Sequence, residues 1–263
     1  MIADCHLHTE FSSDSRTPVR DQIEKAISLG MDYLCVTDHM DMDYPGGEFC
    51  LDTDSYAACI RGLQEEYRGR IRIGLGVELG LQEHLKERQQ EYLKKYPFDF
   101  VIGSVHLIHG EDPYYGGLFQ RIGDGEAYRE YFRASYQLLL EEPGIQTWGH
   151  LDYVVRYGLH KDAEYSYEKY AEEIDAILRL LVEKGIALEL NTAGFRMLGK
   201  PNPRREILER YRHLGGELIT VGSDGHEPGY LGWRFGDARN LLWDCGFRYY
   251  TVFHERKPKF LKL

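Results

Sequence analysis

Short, solid apolar runs alternate along most of the chain with longer stretches in which apolar positions return every three or four residues. The first pattern reads as strand buried on both faces, the second as amphipathic helix. An apolar start, Met1-Ile2-Ala3, is the tail of a first strand that runs into a loop at Asp4-Cys5-His6-Leu7-His8. Thr17-Pro18 supplies an N-cap and a proline at the first helical position, and Ile23, Ala26 and Ile27 follow at helical spacing until Gly30. Tyr33 to Thr37 is the next strand; Asp52 caps a helix to about Tyr67, closed by Gly69; Ile71 to Val77 is again strand. Gln82 to Lys95 reads as helix, Phe100 to Val105 as strand, Glu126 to Glu141 as helix and Ile145 to Gly149 as a short strand. From Ser166 to Lys184 one face carries Ile174, Ile177, Leu178 and Leu181, with Gly185 beyond the end. Ile186 to Leu190 is strand, Asn202-Pro203 caps a helix to about Leu214, Leu218 to Ser223 is strand, Gly236 to Asp244 is a short helix, and Tyr249 to Phe253 is a final strand.

Strands alternating with helices imply a parallel sheet. Seven or eight such units in 263 residues, with no Pro-, Gly- or Ser-rich linker, no internal repeat and no low-complexity tract, predict one α/β domain over 1–263 that closes, or nearly closes, into a barrel. In such barrels the active site lies at the C-terminal ends of the strands. Here those ends carry chemistry: His6 and His8, His39, Glu78, His106, His150, Asn191, then Asp224 and His226.

His6 and His8 lie two apart, so in extended chain they project from the same face; Asp224 and His226 repeat that spacing. A lone His-x-His is as readily a polar loop as a grip on a cation. A set of nine donors, His6, His8, Asp14, His39, Glu78, His106, His150, Asp224 and His226, at ends that a barrel brings together points instead to metal. Imidazole mixed with carboxylate suits zinc, iron or manganese better than calcium or magnesium. Nine donors exceed one ion, so two or three divalent ions are expected, with Glu78 or Asp224 as a bridge. Three such ions carry about +6, Asp14, Glu78 and Asp224 about −3 and a bridging hydroxide about −1, leaving about +2, which complements a phosphate dianion. Hydrolysis of a phosphate ester by metal-bridging hydroxide follows, with no Ser or Cys nucleophile. Asp14, His39, Glu78, Asp224 and His226 are the candidate catalytic residues of the set.

Arg156 and Arg196 lie shortly beyond strand ends and are either phosphate clamps or surface ion pairs. Asn191 is a candidate to orient substrate or a group behind it, and Asp38 either caps a turn or protonates the leaving alkoxide. Glu10, Asp43, Glu48, Tyr114 and Tyr115 are loop residues suited to a cationic substrate head, with nothing to choose among them. His84, His109, His160, His213 and His254 fall on helices, loops or the tail and read as surface or structural.

The formal charge of −11, with no basic stripe, argues against a nucleic-acid partner, and the basic tail from His254 to Lys259 reads as a solvated end. Five cysteines without a Cys-x-x-Cys pair read as reduced thiols, and no secretory signal or apolar run of about 20 residues is evident. The expected protein is cytoplasmic, free of membrane and specific for a small phosphate ester; its oligomeric state is not legible.

Asp4-x-His6-x-His8 with Ser12 and Asp14, Thr37-Asp38-His39, Gly76-Val77-Glu78, Gly103-Ser104-Val105-His106, Gly149-His150-Leu151-Asp152 and Gly222-Ser223-Asp224-Gly225-His226 together resemble the PHP (polymerase and histidinol phosphatase) family. The runs Trp148 to Gly158 and Glu189 to Gly194 are similar to its histidinol-phosphatase branch. The resemblance implies a distorted (β/α)7 TIM-like barrel, the PHP fold, with a trinuclear metal site that hydrolyses L-histidinol phosphate in histidine biosynthesis. It assigns His6, His8, Glu78 and Asp224 to one ion, Glu78, His106 and His150 to a second, and Asp14, His39 and His226 to a third. The alternatives are another phosphomonoester on the same scaffold, a metallo-amidohydrolase, which also opens with His-x-His, and a non-catalytic metal-binding module.

Overall fold

The apolar runs become parallel strands because each is covered on both faces, and the periodic stretches become the helices that cover them. The computed structural model describes residues 2–263; Met1, part of the expected first strand, lies outside the described residues. Its strands, in chain order, are β1 (Ala3–Asp4), β2 (Tyr33–Val36), β3 (His39–Met40), β4 (Arg72–Gly80), β5 (Phe100–Ser104), β6 (Thr147–Trp148), β7 (Ala187–Asn191), β8 (Ile219–Gly222), β9 (Tyr249–His254) and β10 (Lys257–Lys262). The helices are α1 (Val19–Ser28), α2 (Thr53–Glu66), α3 (Lys86–Lys95), α4 (Gly117–Leu140), α5 (Ala171–Lys184), α6 (Gly194–Leu198), α7 (Arg205–His213) and α8 (Phe235–Asp244).

Seven strands form one parallel path, β1-β2-β4-β5-β6-β7-β8, with β3 beside β4. The two ends of that path meet through irregular bonds: Cys5 N–H donates to Val221 O at 3.3 Å, Asp224 N–H to His6 O at 2.7 Å and His8 N–H to Gly225 O at 3.0 Å. The sheet is therefore a nearly closed seven-stranded parallel barrel, the α/β architecture that the alternation predicts. Two helix ends behave as expected. Asp52 accepts the N–H of Ser55 (3.2 Å) at the start of α2, and Gly185 closes α5 in the left-handed conformation (φ 67°).

Other boundaries differ for identifiable reasons. Thr17 does not cap α1, because its hydroxyl donates to His226 O (2.8 Å) instead. Asn202 does not cap α7: its backbone pairs with that of Asn191 (2.7 and 3.0 Å), so the helix waits until Arg205. α4 starts nine residues before the expected Glu126, and Gly123 (φ 76°) breaks it inside. β4 runs on to Gly80, so Glu78 lies within a strand rather than at its end. The tail expected as a solvated end is half of an antiparallel ribbon, with Lys257 to Lys262 paired to His254 back to Tyr249. Its turn uses Glu255 and Arg256 at φ 48° and 62°, residues that carry no hairpin signal, and β9 stays off the barrel path. All five cysteines are free, and among the described residues no helix is long and apolar enough to cross a membrane.

Candidate metal centre

Glu78 is the hub of the site. β4 holds it in register with His39 of β3 and Ile102 of β5, and it is 1 % exposed. Its Oε2 lies 3.0 Å from His39 Nδ1, 3.2 Å from His6 Nε2 and 3.5 Å from His8 Nε2. Its Oε1 lies 2.9 Å from His150 Nε2 and 3.3 Å from His106 Nε2, and accepts the Ser104 hydroxyl at 2.7 Å. One carboxylate thus meets five imidazoles, contributed by β3 and by the loops after β1, β5 and β6.

Asp224 and His226 come from the loop after β8, where Asp224 adopts φ 52°, a left-handed conformation that Asp tolerates. Asp224 Oδ1 is 3.3 Å from His8 Nε2 and 3.8 Å from His6 Nε2. His226 Nε2 is 2.9 Å from Asp14 Oδ2, and His39 Nε2 is 3.7 Å from the same oxygen. All nine residues of the expected set therefore converge at the C-terminal end of the barrel. Their donor atoms gather as His6, His8 and Asp224, as Glu78, His106 and His150, and as His8, His39 and His226. At the third gathering His8 stacks against both His39 and His226 (ring centroids 4.2 and 4.3 Å), and Asp14 meets the same two rings from the more exposed rim.

The donor chemistry fits divalent metal. His6 Nε2, His8 Nε2 and His39 Nδ1 are buried and make no hydrogen bond of acceptable geometry, a costly state for polar atoms unless a cation takes their lone pairs. Burial opposes charge on His8, and the positive neighbours His39 and His226 push it down further, to about 3, so it presents a neutral ring. Burial likewise opposes charge on His6 and His106, yet Glu189, Glu78 and Asp224 hold His6 well above its ordinary range, and Asp41 and Glu78 hold His106 at about 10. Carboxylates that raise imidazoles so strongly form a cage that demands positive charge, from protons or from metal.

The mouth of the site is a cavity of about 130 Å³. Beside the metal-ligand candidates its wall includes Tyr44, Phe49, Asp112, Tyr153, Arg156 and Tyr157. Arg156 is 6 % exposed; its Nε donates to Asn202 Oδ1 at 3.0 Å, its Nη2 to Asn191 Oδ1 at 3.4 Å, and its Nη1 stands 3.7 Å from Asp224 Oδ2. Arg196 lies behind Asp224, donating to its carbonyl at 3.1 Å and covering the Tyr230 ring. Asn191 is fully buried, its amide donating to Glu189 and Asp224 and its oxygen accepting from Ala193 N–H; it orients these groups and is not part of the cavity wall. Asp38 accepts from Thr9 N–H (2.6 Å), the Thr9 hydroxyl and the Ser12 hydroxyl, which makes it the anchor of the loop after β1.

Sequence reasoning passed over Asp41, Glu189 and Asp112. Asp41 stands two residues after His39, the same spacing as His6 and His8, and Glu189 is a lone acid in the apolar run from Ala187 to Leu190; both signals were present. Asp112 has no local signal, since only the folded loop sets it beside the cavity. A larger depression of about 650 Å³ lies at the opposite end of the barrel, beside Arg68, Arg70 and Arg72. Arg68 and Arg70 are exposed there and paired with Glu65 and Glu24, so it offers no comparable chemistry.

Comparison with known proteins agrees with this geometry. The PHP domain profile matches residues 4–193. The histidinol-phosphatase of Lactococcus lactis subsp. lactis is 35% identical over 259 residues, covering 97% of this chain and 95% of its own. That of Bacillus subtilis is 25% identical over 262 residues, covering 88% and 96%. The crystal structure of histidinol phosphate phosphatase from Lactococcus lactis, complexed with zinc, L-histidinol and phosphate, superposes with a TM-score of 0.91 at 33% identity, covering 98% of both chains. With a nearly closed parallel barrel, a cluster of imidazoles and carboxylates at its C-terminal end and these matches over nearly its whole length, the chain belongs to the PHP domain family.

Proposed function

We propose that the protein is a metal-dependent histidinol-phosphatase that hydrolyses L-histidinol phosphate to L-histidinol and phosphate. The observation that carries the reading is one cavity that joins three kinds of group: the Glu78-centred imidazole cluster, the buried Arg156 guanidinium and the Asp112 carboxylate among aromatic rings. A substrate with a phosphate at one end and cationic nitrogens at the other matches that order. The relatives with this activity support the same choice.

In this proposal His6, His8, Glu78 and Asp224 would hold one ion, Glu78, His106 and His150 a second, and Asp14, His39 and His226 a third. Two or three zinc, iron or manganese ions, when bound, would supply a water of lowered pKa and positive charge opposite the phosphate oxygens. Arg156 would add a fork of N–H donors to those oxygens, and Asn191 and Asn202 hold it in place for this. Arg196 would support Asp224 and reach the phosphate only at its outer side. Asp112 would take the cationic head: its Oδ1 already accepts Tyr114 N–H (2.8 Å) and its Oδ2 the Tyr44 hydroxyl (2.7 Å), so it is pre-oriented. Tyr153 and Tyr157, with ring centroids 5.1 Å apart, would flank the imidazole and exclude water. Residues 1–263 would act as one domain, and the five free cysteines favour a cytoplasmic setting.

The test is steady-state kcat/KM on L-histidinol phosphate beside a panel of phosphomonoesters, phosphodiesters and cyclic amides. L-histidinol phosphate is expected to lead. A different phosphomonoester in front would move the substrate assignment, and an amide in front would overturn the phosphatase reading.

A further inference from the structure

Two buried carboxylates outside the nine-residue set touch it, Glu189 from behind and Asp41 from the cavity wall beside His39 and His106, each facing a different pair of its histidines. Glu189, in the middle of β7, is 1 % exposed. Its Oε1 lies 2.5 Å from His6 Nδ1, and its Oε2 accepts the backbone N–H of His150 at 2.8 Å. Asp41, next after β3, is 3 % exposed. Its Oδ1 lies 2.8 Å from His106 Nδ1, and its Oδ2 lies 3.5 Å from His39 Nδ1. Neither carboxylate has a Lys or Arg partner among the described residues. His6 and His106 thus turn Nδ1 to one of these acids and Nε2 to Glu78, at 3.2 and 3.3 Å.

The neighbouring strands leave room for both acids by omitting a side chain. A Cβ on Gly80 would land on Asp41 Oδ1. One on Gly222 would strike the His6 Cβ and come within 2.8 Å of Glu189 Oε1. Both glycines have ordinary backbone angles, so close approach rather than chain flexibility explains them.

With Glu78 engaged by metal, the carboxylates of Glu189 and Asp41 can only accept, so Nδ1 of His6 and of His106 would carry the proton and Nε2, on the Glu78 side, would present its lone pair. We propose that Glu189 and Asp41 are positioning residues that hold His6 and His106 in the Nδ1–H tautomer, each with Nε2 aimed at a metal. Glu189 bonds the His6 ring and the His150 backbone N–H, and Asp41 bonds the His106 ring and lies 3.5 Å from His39 Nδ1 without bonding it. The inference rests on reading the nine residues as ligands and is independent of which substrate is cleaved.

Nitrogen-15 histidine spectra of the zinc-loaded wild-type protein, assigned by the signals lost in H6Q and H106Q, read the tautomers directly. Protonated Nδ1 is expected on both rings, and protonated Nε2 on either would overturn the proposal. Zinc affinity, measured by chelator competition, supplies the second reading. Glu189→Leu and Asp41→Leu are expected to weaken zinc binding about 10- to 100-fold, while Glu189→Gln, which keeps an acceptor oxygen, recovers most of the loss. Gly80→Ala is expected to reproduce the Asp41 defect with Asp41 still present. Zinc affinities within about threefold of wild type in both Leu variants would overturn the positioning role. If turnover of L-histidinol phosphate proved absent while these zinc readings held, the substrate assignment would fail and this inference would stand.

Discussion

Asp112 and Arg156 present opposite charges to one cavity, and that pairing separates recognition of the substrate head from recognition of its phosphate. Asp112→Asn keeps the shape and the bond from Tyr114 N–H but removes the charge. It is expected to lower kcat/KM on L-histidinol phosphate about 10- to 100-fold, the worth of one charged hydrogen bond, and to leave a phosphomonoester with an uncharged head unchanged. Arg156→Ala is expected to raise KM for both substrates by a similar factor, because it acts on the group they share. Parallel kinetics on the two substrates check both outcomes; equal losses in Asp112→Asn would remove Asp112 from head-group recognition. At this scale the sequence exposed residues whose spacing in extended chain is itself chemical, such as His6 with His8. It hid Asp112, since nothing within a few residues distinguishes it from the other loop acids Asp43 and Glu48.

Among the elements, strand β4 and helix α2 show how the barrel wall is joined to its cover. The Tyr56 hydroxyl of α2 lies 2.8 Å from Val36 O and 3.0 Å from Gly76 O, where β2 ends beside the middle of β4. Tyr56 is fully buried, so Tyr56→Phe removes the one hydroxyl proton that these two interior carbonyls share. A loss of about 1–2 kcal/mol is expected, seen as a lower urea midpoint with an unchanged slope. A midpoint equal to wild type would show that the strand carbonyls are satisfied without it. Periodicity revealed the long elements well: the apolar faces of α1 and α5 and the solid runs of β2, β5, β7 and β8 were all legible. The ribbon of β9 and β10 was not, because Glu255 and Arg256 make its turn and Lys257-Pro258-Lys259 looks solvated. Tertiary bonds also overrode local cap signals at Thr17 and Asn202.

For the whole molecule, net charge and local charge pull in opposite directions. A chain of −11 sets several acids in a site suited to cations, so removing metal would leave Glu78, Glu189 and Asp41 buried with imidazolium protons to offset them, and Asp224 with those and Arg156. Exhaustive chelation is expected to lower Tm by about 5–10 °C, the effect of losing a ligand held at roughly 100 times its Kd, and zinc should restore it. An unchanged Tm at full depletion would show that the metal centre does not stabilise the fold. A second global effect sits at the far end of the chain. Burial, with Arg72 and Lys259 nearby and only Asp99 and Glu255 opposing them, pushes His254 down to about 4. The folded state therefore refuses a proton that the unfolded chain takes near pH 6.5. Its contribution to stability is complete above pH 6.5, falls as the pH drops, and is exhausted below about pH 4. Urea midpoints across that window should fall less steeply in His254→Gln than in wild type; parallel slopes would discard the effect.

What the sequence determined by itself was the fold class and the identity of the nine converging residues. Burial on both faces of a parallel sheet dictates solid apolar runs, and a barrel leaves its polar chemistry at the strand ends, so both are written into residue type and order. Only the tertiary structure decided that Glu78 is the hub, that Asp41, Glu189 and Asp112 belong to the site, and that Arg196 and Asn191 stand behind it. Those facts depend on which atoms meet across strands far apart in the chain, and on glycines such as Gly80 whose significance is the space they leave. No local pattern records either.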